Sequence, residues 1–164
     1  MSGNPTIRFD PVSQEHFDGM RQRHYPPERN LVPAHLKLFH VLPTTEEVCS
    51  TLARAASTTN AFPIAVTGLR SLGRGVAYTL AGPEVHSVHR VLSFSFAALL
   101  SPQDKQPFRP HVVIQNKSTE AQARELLALL QASFQPFTVE ARGLALWHYG
   151  DGPWELARQF DFVG

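Results

Sequence analysis

The 164-residue chain is short of several things, and each shortage narrows what it can be. It has one cysteine, Cys49, which rules out an internal disulfide and a cysteine-built metal cluster and fits a reducing compartment. It has no excess of either charge: 15 Lys and Arg against 14 Asp and Glu leave a formal net charge of +1. That is no dense cationic footprint, so a duplex DNA partner is not expected, whereas a single nucleotide or a strand end needs far less charge. The most apolar run, VLSFSFAALL (91–100), contains two serines and is too short to cross a membrane. The N-terminus, MSGNPTIRFD, is polar and carries no signal-peptide pattern. No G-x-S-x-G nucleophile motif occurs, and the GRG at 73–75 lacks the GK[ST] of a phosphate loop. His86 and His89 share a helix side without a third ligand. The expectation is a cytoplasmic protein with no cofactor and no metal. With 43% hydrophobic and 18% charged residues, it has the composition of one folded domain spanning 1–164.

Hydrophobic periodicity and turn residues then divide the chain. TIRF (6–9) reads as a strand, and 10–24 as a helix on which Phe17, Met20 and Arg21 share a face. The proline-rich segment 25–33 must be loop. A strand is expected at 35–42, followed by a helix at 44–57 opened by Thr44 with Glu47 three residues on. Strands follow at 62–72 and 75–81, a helix at 83–100 and a loop at 101–110. The remainder reads as a strand at 111–116, a helix at 118–134 and a strand at 137–149. The DG turn signal at 151–152 and a return strand at 153–162 complete it.

The two halves follow one plan of strand, helix, strand, strand, each opened by a histidine after a proline or close to one: VPAHLKLFH (32–40) and RPHVVIQNK (109–117). From His35 to the Gly68-Leu69 pair is 33 residues, and from His111 to the Gly143-Leu144 pair is 32. AFPIAVTGLRSL and QPFTVEARGLALW share an aromatic, an apolar residue two on and a Gly-Leu. This is a weak internal duplication. It predicts an α+β fold of two pseudo-twofold-related lobes, each an antiparallel sheet packed with helices, that enclose a central groove. Such an axis would bring His35 and His111 face to face.

HLKL (35–38) and HVVI (111–114), 76 residues apart, resemble the paired motifs of the 2H phosphoesterase superfamily, His, apolar, Thr or Ser, apolar. The flanks YPPERNLVPAHLKLFHVLP, LGRGVAY and GLALWHYGDGPWE are similar to the bacterial 2'-5' RNA ligase and cyclic phosphodiesterase branch, and the resemblance covers nearly the whole chain. It implies a nucleotide or an RNA terminus as partner. It also implies that His35 and His111 act as acid and base on a 2',3'-cyclic or 2'-5' phosphodiester. Lys37 and Val113 stand where the family's HxT motif has its hydroxyl, the group thought to hold the phosphate's non-bridging oxygens.

Imidazole, with a reference pKa of ~6.5, serves as base or acid near neutral pH, and each such transfer is typically worth ~10²–10⁴ in rate. Strand alternation sets His35, Lys37 and Phe39 on one face, and His111, Val113 and Gln115 on one face. Lys37, Gln115 and Phe39 are therefore expected to bind the substrate, Lys37 as a point charge in place of a hydroxyl. Tyr25, Trp147, Tyr149 and Trp154 are further candidates to stack a base. Two other functions remain open at this point: a non-catalytic protein that binds a nucleotide or RNA end in the same groove, and a scaffold whose groove is vestigial.

Overall fold

The structure, a computed structural model, describes residues 1–150 and 152–164. Its elements run β1 (Ser2–Phe9), α1 (Pro11–His24), β2 (Leu36–Lys37), β3 (Leu42–Pro43), α2 (Glu46–Ser57), β4 (Phe62–Ser71) and β5 (Val76–Ala81). They continue with α3 (Pro83–Ser95), β6 (His111–Gln115), α4 (Glu120–Ser133), β7 (Phe137–His148) and β8 (Glu155–Asp161). Both halves show the expected strand–helix–strand–strand order, and the fold is α+β. The hairpin-turn signal at 151–152 falls partly on residue 151, outside the described residues. No helix among the described residues is long and apolar enough to cross a membrane.

Local sequence sets the helix starts. Asp10 caps α1 by accepting a hydrogen bond from the Ser13 amide at 3.1 Å, with Pro11 in the first turn, where its missing N–H costs nothing. Thr45, one residue later than expected, caps α2. Thr119 and Gln122 form a reciprocal capping box at α4.

All eight strands join one antiparallel sheet in the order β3-β1-β2-β6-β5-β4-β7-β8, and β7 also pairs with β1. The pairings therefore close on themselves through β1, β2, β6, β5, β4 and β7. The circuit is narrowest where the two halves of the chain meet, at the register pair Leu36↔Val112 between β2 and β6. That face of the sheet is apolar and packed: Leu36, Val112 and Ile114 are fully buried beside Ile7 and Tyr78, and α1 covers them with Phe17 and Met20. Burial on this scale fixes the two short strands, since each such side chain contributes about 1.5–3 kcal/mol.

The strand expected at 35–42 is interrupted. After Lys37 the Leu38 amide donates to the Pro5 carbonyl. The His40 amide donates to Asp104 Oδ1 at 2.7 Å, and Asn4 Nδ2 donates to the His40 carbonyl. Side chains thus take the ladder's place, and the pleat is lost before Phe39. The helix expected at 83–100 ends at Ser95, with a short 3-10 turn over Ala97–Leu99. Gly75 has a strict steric reason: a Cβ there would lie 1.9 Å from the Gln115 carbonyl oxygen, so only glycine lets the β4–β5 turn approach β6.

Candidate active site

The pair Leu36↔Val112 determines the layout of the opposite, open face. Extending it by one residue each way sets Lys37 opposite His111 and His35 opposite Val113. Alternation points all four side chains away from the packed face. The rows extend across neighbouring strands: Thr6 lies opposite Lys37 on β1, while Thr79 and Ala77 lie opposite His111 and Val113 on β5. The structure therefore gathers His35, His111 and Lys37 on one patch, and all three are partly buried.

Each motif histidine is tethered in the same way. His35 Nδ1 lies 2.9 Å from the Pro33 carbonyl, and His111 Nδ1 lies 2.9 Å from the Arg109 carbonyl. A carbonyl only accepts, so in each ring Nδ1 carries the hydrogen and the lone pair of the neutral ring is left on Nε2. Burial pushes the His35 imidazole from its ordinary 6.5 down to about 4; the Pro33 bond opposes this, and the charges of Lys37, Arg21 and His111 add to it. His111 is also lowered, first by burial, with the Arg109 carbonyl opposing and the charges of Arg70 and Lys37 adding. Burial lowers Lys37 too, against the pull of Asp104. Both rings are thus neutral at pH 7, and an anion entering between them would raise both.

Two further features border the patch: the tryptophans named among the aromatic candidates, and a buried arginine. Trp154 lies over the first motif, its ring 4.4 Å from that of His35, centroid to centroid, with Lys37 Nζ 5.4 Å from the Trp154 ring. Trp147 underlies it at 6.3 Å and donates from Nε1 to Thr6 Oγ1 at 3.1 Å. Below β6, Arg21 is 3% exposed and donates to the Val113 carbonyl at 3.1 Å and to Asn30 Oδ1 at 3.0 Å. It is a buried guanidinium held by neutral acceptors, and its charge reaches the site.

Gln115 and Phe39 are not brought to this patch. A register shift pairs Val76 with Gln115 and Ala77 with Val113, so Ile114 is an extra residue and the alternation slips. Gln115 follows the buried Val76, is 6% exposed, and borders a different cavity beside Arg74 and Ser118. Phe39, 1% exposed after the break in the strand, stacks on His89 at 4.9 Å and meets Phe96 edge-on. Tyr25 is buried under Arg21, 4.2 Å from the guanidinium, and Tyr149 is exposed near His40.

Two cavities adjoin the patch. One of about 300 Å³ includes His35, Thr6, Arg8, Asp18 and Trp147 in its wall. The other, of about 480 Å³, lies beyond His111 and includes Arg70, Thr79, Phe108 and Arg109. A larger cavity of about 600 Å³ between α2, β4 and α3 has Glu84 as its only titratable lining residue, which gives it no acid–base pair. Among the described residues, no group of three or more His, Cys, Asp or Glu is placed to hold a metal ion.

The same frame occurs in solved structures. TT0787 of Thermus thermophilus superposes with a TM-score of 0.68 at 14% identity, over 99% of this chain and 98% of that one. E. coli LigT complexed with 3'-AMP gives 0.63 at 16% identity, over 99% and 98% of the two chains. LigT complexed with NADP+ gives 0.60 at 17% identity, over 98% and 96%. At these identities the likeness concerns the fold. No curated protein matches by sequence. The model of the 2'-5' RNA ligase superfamily matches residues 9–153, which include both histidine motifs and every strand from β2 to β7. The chain belongs to the 2'-5' RNA ligase superfamily of 2H phosphoesterases.

Proposed function

We propose that this protein is a phosphoesterase that opens 2',3'-cyclic or 2'-5' phosphodiester bonds of a nucleotide or an RNA end, with His35 and His111 as an acid–base pair. The observation that carries this is the matched pair: two imidazoles on adjacent antiparallel strands, each with Nδ1 tied to the carbonyl two residues before it. In hydrolysis, one neutral Nε2 takes a proton from water as the water oxygen bonds to phosphorus. The other ring, protonated, gives its proton to the ribose oxygen as the P–O bond breaks, so the two rings exchange protonation states. With a 5'-hydroxyl in place of water the same steps form a 2'-5' linkage: its oxygen bonds to phosphorus, its proton goes to the neutral ring, and the 3'-oxygen leaves with the proton of the other ring.

Several features support a phosphate-bearing ligand. Lys37, Arg21 and Arg70 all place positive charge on the histidines, which favours an anion between them. The cavities on either side offer room for a ribose and its base. E. coli LigT, which has the same fold, is found with 3'-AMP, NADP+ and ATP. Lys37 would hold one non-bridging oxygen as a point charge, on the strand where the family has a hydroxyl.

The test is hydrolysis of 2',3'-cyclic nucleotides by the purified protein and by His35→Ala and His111→Ala. Turnover by the parent and its loss, by at least about 10²-fold, in both variants is the expected result. A parent that binds nucleoside monophosphates but turns nothing over would instead mean a binding protein that uses the same groove.

A further inference from the structure

The second motif has no hydroxyl: Val113 is apolar, and nothing in β6 itself can take a phosphate oxygen on that side. The register shows what stands nearest. Val113 lies opposite Ala77 on β5, and Ala77 lies opposite Arg70 on β4, with the intervening pairs Tyr78↔Val112 and Leu69↔Tyr78 in step. Arg70, Ala77, Val113 and His35 therefore form one continuous row on the open face. Ala77 faces the open side and yet is 0% exposed, so its methyl group is covered. Arg70 is two strand spacings from β6, about 10 Å, most of which an extended arginine spans. Its side chain is partly buried, has no ion pair or hydrogen bond among the described residues, and borders the cavity beside Thr79.

We infer that Arg70 carries the phosphate's non-bridging oxygen on the β6 side, in place of the hydroxyl that Val113 lacks. Several observations favour this reading. Arg70 lies one row from His111 and is the first of the charges that act on that ring. The small Ala77 leaves a path across β5 that a larger residue would block. A planar guanidinium also suits a phosphate better than a second ammonium would. The two motif hydroxyls would thus be replaced by two cations reaching from opposite sides, Lys37 within its own motif and Arg70 from a neighbouring hairpin. The inference deepens the function proposed above and rests on the reading of the groove as a phosphodiester site.

The experiment compares the parent with Arg70→Met, Arg70→Lys, Val113→Thr and the double variant Arg70→Met/Val113→Thr. Two readouts are used: kcat/KM on 2',3'-cyclic AMP, and calorimetric Kd for 3'-AMP. Methionine keeps the stem over Ala77, and thermal melts confirm that each variant is folded. Arg70→Met is expected to lower kcat/KM about 10²-fold and to weaken 3'-AMP binding, with Arg70→Lys intermediate. Val113→Thr should change little in the parent and restore about tenfold in the Arg70→Met background, because the hydroxyl is needed only when the guanidinium is gone. Arg70→Met indistinguishable from the parent, or a Val113→Thr effect the same in both backgrounds, would overturn the inference. If the parent shows no turnover, the hydrolytic reading fails, and the Kd comparison still decides on Arg70: equal affinities, or no binding by the parent, would overturn it.

Discussion

β2 and β6 present the same ring on the same tether, and they differ in what stands two residues further on. On β2 that residue is Lys37, a cation with Trp154 above it and Asp104 near its charge. On β6 it is Val113, whose backbone carbonyl, rather than its side chain, is engaged, by the buried Arg21. The first motif is covered and strongly desolvated, and the second lies open toward Arg70 and Thr79. Equal histidines thus sit in unequal surroundings. The lesson is that two identically tethered histidines can stand in different electrostatic surroundings, set by residues of other elements.

Damage at the narrow join should have the largest effect on this comparison. Gly75→Ala would drive a methyl group into the Gln115 carbonyl and separate the β4–β5 turn from β6. A loss of several kcal/mol, on the order of the largest single-residue effects, is expected in urea unfolding. Next comes Arg21→Met, which leaves the Val113 carbonyl and Asn30 without their donor. A cost of about 2–3 kcal/mol in the same assay is expected, together with weaker 3'-AMP binding, because the variant removes both a charged hydrogen bond to β6 and a cation from beneath the site.

Trp154→Ala sharpens the contrast between the two rings. If the indole is what dries His35, its removal should raise the His35 pKa from about 4 toward 6.5 and leave His111 nearly unmoved. Proton NMR titration of the imidazoles reads this directly, and equal movement of the two rings would mean that the fold, not the indole, sets the difference. The smallest effect is on stability against pH. A histidine whose folded pKa lies below its unfolded value contributes stability at high pH and loses it as the pH falls. With about 4 in the folded state and 6.5 unfolded, His35 should make urea stability decline from about pH 6.5 down to about pH 4. In His35→Ala that decline should be shallower.

Much of this was legible in the sequence because it is local. Element order followed from periodicity and capping residues, and the histidine motifs stood out through their spacing and matching prolines. The misplacements trace to contacts that no window of sequence contains. Phe39 leaves the groove because Asp104 and Asn4, both distant in sequence, capture the backbone at His40. Gln115 leaves it because one extra residue at Ile114 shifts the pleat, and nothing in HVVIQ announces a bulge. Trp154 and Arg21 come to the patch only through the tertiary fold, by the course of the chain before β8 and by helix docking. Arg21 had one sequence signal, its place on the same helix face as Phe17 and Met20, where an arginine must be either exposed or held.

The central claim is that His35 and His111 work as one unit. The most direct measurement is a double-mutant cycle on 2',3'-cyclic nucleotide hydrolysis, with His35→Ala, His111→Ala and the double variant assayed beside the parent. Concerted acid–base action predicts that the double variant is no slower than either single variant, since removing one partner already abolishes the step. Losses that multiply, or one single variant that retains the parent's rate, would contradict it.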